Sequence, residues 1–117
     1  MCLKTKLVVS MAAVCIGASA AALGQGGSGD RAVTYIEVMA DGSLLVEAEG
    51  GWANPDGCAD PFRIFVPTSN PFLDRYYAAI LSGYSGGNKV WAWLSGCQTM
   101  AWGEEYPIVK NVATRRN

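Results

Sequence analysis

The run from residue 70 to residue 97 (NPFLDRYYAAILSGYSGGNKVWAWLSGC) changes its periodicity half-way, and that change limits what the rest of the chain can build. Leu73, Tyr76, Tyr77, Ile80, Leu81 and Tyr84 recur at spacings of three and four, the signature of one apolar helical stripe. Asn70 is a favoured N-cap residue and Pro71 suits the first helical position, where its missing N–H costs nothing. Asp74 then stands near the positive end of the helix dipole. Gly83, Gly86 and Gly87 end the pattern, so the spacing predicts a helix over 70–84. From Lys89 the period is two: Val90, Ala92 and Leu94 on one face, Lys89, Trp91, Trp93 and Ser95 on the other.

The flanks read as short strands. Residues 34–39 alternate, Asp41-Gly42 marks a hairpin turn, and residues 44–49 return with Leu44, Val46 and Ala48 on one side and Leu45, Glu47 and Glu49 on the other. Gly50-Gly51 then allows a bulge or sharp bend. Residues 62–66 (FRIFV) form a third strand, stopped by Pro67, and residues 108–113 form a last one. The order is three strands, a helix, and two strands. We therefore expect a β-rich α+β fold. Its sheet is either a small five-stranded OB-like antiparallel barrel or a strongly twisted sheet, with one helix between strands 3 and 4.

The N-terminal end reads as an export signal. Lys4 and Lys6 precede the apolar run LVVSMAAVCIGA, and Ala18-Ser19-Ala20 is a small-x-small cleavage pattern. The expected division is a signal peptide over 1–20 (the cut as late as 24), a flexible lead-in over 21–32, one domain over 33–114 and a frayed tail over 115–117. The alternative is a lipoprotein anchored at Cys15, which Val14 disfavours because a small residue belongs there. Export places the chain in the periplasm or outside the cell, with no stable membrane insertion after cleavage. Two cysteines remain, Cys58 and Cys97, and in an oxidising compartment they are expected to pair.

Removal of Lys4 and Lys6 takes nine basic residues to seven against ten acidic ones, a net −3. With no basic stripe, nucleic acid is not an expected partner. There is no histidine, so the commonest general base, metal ligand and triad member is missing. Paired cysteines offer no thiolate nucleophile. Glu104 and Glu105 are adjacent and point to opposite sides of an extended chain, which defeats a two-carboxylate site. Asn54, Asp56 and Asp60 lack the alternation and closing glutamate of a calcium loop and read as turn chemistry around Cys58. Gly24, Gly26 and Gly29 fit GxGxxG by chance, since no strand leads in and no helix follows. No enzyme, metal or cofactor is expected.

The helix-to-strand run DRYYAAILSGYSGGNKVWAWLSGC, followed by YPIVKNV, resembles a group of short uncharacterised exported proteins of Gram-negative bacteria. These share a helix ending near Ser-Gly, an alternating strand reaching Gly-Cys, and a final strand. More distantly, the layout is similar to the OB-fold cell-binding B subunits of pentameric bacterial toxins, which bind glycans. This chain departs from them in the placement of its cysteines, and none of their sugar-binding residues maps onto it. The resemblance implies a fold more than a ligand.

Aromatic surface is the remaining signal. If Val90, Ala92 and Leu94 fill the interior, Trp91 and Trp93 face outward beside Lys89; if the indoles pack under the helix, they are core. Trp52 and Trp102 lie in loops, where they either join that patch or cap the barrel. Flat aromatics beside polar groups stack on sugar rings or anchor protein interfaces. The expected function is thus a non-catalytic exported binding domain for a glycan or a cell-surface protein, through Trp91, Trp93, Lys89, Trp52 and Trp102. The alternative is a self-associating structural envelope protein, a homo-oligomer without a small-molecule ligand.

Overall fold

The computed structural model describes residues 25–116. Its elements are β1 (Gln25–Gly27), β2 (Arg31–Val38), β3 (Leu44–Ala48), β4 (Arg63–Val66), α1 (Leu73–Gly86), β5 (Lys89–Thr99) and β6 (Glu105–Arg115). The predicted signal peptide and Cys15 lie outside the described residues. Among the described residues six strands are present instead of five, in the order β1-β5-β2-β3-β4-β6, and β5 also pairs with β6 so that the sheet closes in a ring. All pairings are antiparallel except β4 with β6, which meet in parallel at Phe65 and Ile108.

The extra strand lies in the segment expected to be a flexible lead-in. Gln25, Gly26 and Gly27 pair with Ser95, Leu94 and Trp93, and Arg31 and Ala32 pair with Val90 and Lys89 further along the same edge of β5. Residues 25–38 thus act as one strand broken at a kink where Gly29 takes a positive φ of 77°. Ser28 holds the kink. Its amide donates to the Ala92 carbonyl at 2.7 Å, and its buried hydroxyl accepts from the Ala92 amide at 2.8 Å. A Gly-Gly-Ser run carries no hydrophobic alternation, so nothing in its side chains announces a strand. The pairing comes from β5. Nor is the tail wholly frayed: Arg115 ends β6 opposite Lys89 and lies 3.2 Å from Asp30.

The helix starts two residues later than the cap pattern predicts. Phe72 is the N-cap, without a side-chain bond, and the Asn70 carboxamide instead accepts from the Phe72 amide at 2.9 Å in a preceding turn. Gly87 closes the other end in the left-handed conformation. Leu73, Tyr76, Tyr77 and Ile80 pack on the sheet as predicted, whereas Leu81 and Tyr84 are exposed. Gly83 explains the difference. A Cβ there would lie 2.5 Å from Val90 Cγ2, so the absent side chain lets the helix approach β5 along the 73-76-80-83 line. Leu81 and Tyr84 turn off that line. Tyr76 Oη donates to the Lys110 carbonyl and Thr114 Oγ1 to the Ala79 carbonyl, fastening the helix over β6.

The core inside the ring is formed by Leu44, Val46, Ile64, Val66, Ile80, Val90, Ala92, Leu94 and Val109, with Trp52 among them. Val90, Ala92 and Leu94 are fully buried, which settles the facing of β5. A smaller cluster lies on the opposite side of the sheet: Leu45, Phe65 and Tyr106 are buried there, with Met39, Met100 and Ile108 packed against them. Cys58 and Cys97 form the expected disulfide, with their Cα atoms 5.6 Å apart. No helix among the described residues is long and apolar enough to cross a membrane.

Candidate functional site

Register assembles the site. Tyr35 of β2 stands opposite Glu47 of β3, and Glu47 stands opposite Arg63 of β4. Because Phe65 and Ile108 are aligned in parallel, Arg63 and Tyr106, each two residues earlier, are neighbours across the β4–β6 junction. One row therefore crosses four strands on the face opposite the main core: Tyr35, Glu47, Arg63, Tyr106. These residues lie so far apart in sequence that only the ring brings them together.

Arg63 is the hub. Its Nε donates to Glu47 Oε2 at 2.6 Å and its Nη1 to Tyr106 Oη at 3.5 Å. The guanidinium carbon lies 5.4 Å from the Tyr35 ring centre and 5.2 Å from that of Phe62, within cation–π range of both. Phe62 meets the Tyr106 ring edge-on at 5.7 Å, and Trp102 lies 6.4 Å from it on the β5–β6 loop. The result is a continuous aromatic strip around a single cation. Tyr35 and Phe62 are each 40 % exposed and Trp102 is 50 % exposed, while Tyr106 between them is buried.

Two carboxylates fix the ends of the strip. Glu104 Oε1 accepts from Trp102 Nε1 at 2.9 Å and from the Tyr106 hydroxyl. Those two donated bonds hold the Glu104 carboxyl below the ordinary glutamate range. Burial, and then the bond to Glu104, push the Tyr106 hydroxyl up, so it stays a neutral donor. At the other end Tyr35 Oη donates to Glu37 Oε1 at 2.9 Å, which raises the Tyr35 hydroxyl.

The five residues expected to contact a ligand are divided among three places. Trp102 is in the strip. Trp52 is not at the surface: it is only 5 % exposed, sits in the main core and donates from Nε1 to the Val46 carbonyl at 3.0 Å. That burial removes it from any ligand contact. Trp91 and Trp93 face away from the core with Lys89, their ring centres 6.0 Å apart. Trp91 rests on Gly27, where a Cβ would lie 2.8 Å from its Nε1, and Trp93 is 36 % exposed. Trp93 pairs with Asn111, five residues along β6 from Tyr106, so the two aromatic areas are roughly 17 Å apart at strand rise. They are separate surfaces.

Sequence reading missed Tyr35, Phe62, Arg63, Glu104 and Tyr106 as site residues. The available signal was weak: Glu47 and Arg63 each fall on the polar side of a strand, and so offer complementary charges to adjacent strands.

The loop carrying Cys58 is tied to β5 and β6 next to the strip. Asn54 brackets Cys58, accepting from its amide and donating to its carbonyl. Asp56 accepts from the Gly96 amide, and Asp60 Oδ2 accepts from the Glu105 amide at 2.9 Å. The three oxygen-bearing side chains of this loop are therefore engaged in turn and inter-segment bonds, as the absence of a calcium-loop spacing implies. Glu105 Oε1 accepts from the Ala59 amide, so Glu104 and Glu105 serve different partners. The Cys58 and Cys97 sulfurs lie near that carboxylate, but a disulfide supplies no thiolate to a metal. An open cleft of about 400 Å³ between Gly42, Thr68 and the start of α1 presents no aromatic platform. Comparison with protein-family models, with curated proteins and with solved structures returned no match.

Proposed function

We propose that this is an exported, non-catalytic binding domain of OB type that recognises glycans on the Tyr35–Arg63–Phe62–Tyr106–Trp102 strip. One observation carries the reading: three partly exposed aromatic rings are held in place by hydrogen bonds and cation–π contacts on a rigid sheet. Rings fixed in this way lose little conformational freedom on binding, and their flat faces suit the apolar faces of sugars. Taking β1 and β2 as one bent strand leaves a five-membered ring with its helix between the third and fourth strands. In OB-type barrels the second and third strands, with the loops after strands 1 and 4, form the usual oligosaccharide or oligonucleotide face. Here that face holds Glu47, Arg63 and the Trp102 loop, and the mild negative charge favours sugar over nucleic acid. The disulfide is compatible with export.

The test is a tryptophan-fluorescence titration against a glycan panel, with Trp102→Ala and Trp93→Ala as paired variants. A response lost in Trp102→Ala and kept in Trp93→Ala is the expected result. Loss only in Trp93→Ala would move the site to the β5 surface, and a flat wild-type response would reject sugar binding.

A further inference from the structure

The charges around the strip are unequal. Arg63 is the one cation in it, and Glu47 already pairs with that guanidinium at 2.6 Å. Glu37 and Glu104 are left at opposite ends of the aromatic row, beyond Tyr35 and Trp102 respectively. Each is anchored through Oε1 alone, by the Tyr35 hydroxyl in one case and by the Trp102 indole and Tyr106 hydroxyl in the other. Oε2 of each has no hydrogen-bond partner among the described residues. A neutral sugar would leave the second oxygen of each carboxylate without a cation of its own, since the one nearby guanidinium is paired with Glu47 and is only a minor influence on Glu104. A cation over Trp102 or Tyr35 would meet an aromatic face and a carboxylate together, the pairing that aromatic sites use to hold ammonium groups.

Resting on the glycan reading above, we propose that the strip selects amino sugars: an oligosaccharide whose protonated amines meet Glu104 and Glu37 while its rings stack on Trp102, Phe62 and Tyr35. The hydrogen bonds donated to Glu104 support this, since they keep its carboxylate ionised in mildly acid solution, where sugar amines are protonated.

Calorimetric titration at pH 6 and low salt, with four probes, tests the proposal on the oxidised protein: a β-1,4-linked glucosamine tetramer, its fully N-acetylated counterpart, cellotetraose and tetralysine. The glucosamine tetramer should bind best, by about five- to twentyfold over either uncharged sugar, two exposed ion pairs each supplying a few-fold. That advantage should shrink in 0.5 M salt as screening grows. Glu104→Gln and Glu37→Gln should each lower glucosamine-tetramer affinity by about two- to fivefold more than they lower cellotetraose affinity. In Glu104→Gln the new amide oxygen can still accept from Trp102 and Tyr106, and a cooperative thermal unfolding transition verifies that the variant is folded. Equal affinity for charged and uncharged tetramers would overturn the amino-sugar proposal and leave the glycan reading intact. Tetralysine binding as tightly as the glucosamine tetramer would overturn it too, reducing the strip to a general cation surface. No binding of any sugar by folded protein would remove both readings.

Discussion

The two faces of β3 and β4 are built from opposite materials. Toward the ring interior they present Leu44, Val46, Ile64 and Val66, all buried and all aliphatic. Toward the other side they present Leu45, Glu47, Arg63 and Phe65, two apolar residues roofed by Met39 and Met100 and two charged residues bonded to each other. The inner face holds the fold by removing apolar area from water, in a volume that tolerates no unpaired polar atom. The outer face keeps a partly exposed ion pair, which adds little to holding the strands, beside a buried tyrosine hydroxyl. The inner face is the one the fold needs, and the outer face is the one on which the proposed ligand strip lies.

The Cys58–Cys97 bond ties the Phe62-bearing loop to the Trp102-bearing hairpin. With a sequence separation of 39 between its ends, its loss in Cys58→Ala/Cys97→Ala should lower the unfolding free energy by up to about 4 kcal/mol in urea titration. A loss under about 1 kcal/mol would mean that the Asn54, Asp56 and Asp60 bonds already hold the loop. Ile64→Ala, on the inner face, should cost about 2–5 kcal/mol and leave ligand affinity per folded molecule unchanged. Tyr106→Phe, on the outer face, removes only the oxygen shared by Arg63, Trp102 and Glu104. It should cost about 1–3 kcal/mol in the same assay. A cost matching that of Ile64→Ala would erase the distinction between the faces.

The smallest expected effect concerns pH. Glu104 is held below the ordinary value of 4.5 in the folded chain by its bonds from Tyr106 and Trp102. Its contribution is therefore fully present above about 4.5 and is lost as the pH falls through the folded value. Wild type should lose stability on acidification more steeply than Glu104→Gln, whose amide accepts the same bonds at every pH. Superimposable acid-unfolding profiles would show that those bonds do not persist in solution.

Much of the inner face is legible from residue order alone. The two-residue period of Val90, Ala92 and Leu94 and the three-and-four spacing of the helix report burial directly, because a single dry interior imposes it. Gly-Gly-Ser at 26–28 is not legible, since its strand is made by backbone pairing that leaves no trace in side-chain pattern. The outer site is least legible. Tyr35, Glu47, Arg63 and Tyr106 form a row only through the register of four strands, and register depends on turns and kinks that local spacing does not encode. Trp102 stands out for its side chain, while the arginine at the centre of the strip stays hidden as an ordinary polar strand residue. Trp52 misleads because a loop position suggests exposure, whereas its indole N–H finds the Val46 carbonyl inside.

The β4–β6 junction, aligned through the single pair Phe65 and Ile108, closes the ring where Arg63 and Tyr106 meet. It is the one place among the described residues where strands run alongside each other in the same direction, and so the natural point for the ring to open. Any molecule lying across Phe62, Arg63 and Tyr106 would act as a splint over that seam. Deuterium uptake at the amides of residues 63–66 and 106–109 would then slow when the strip is occupied, so that exchange itself would report capture.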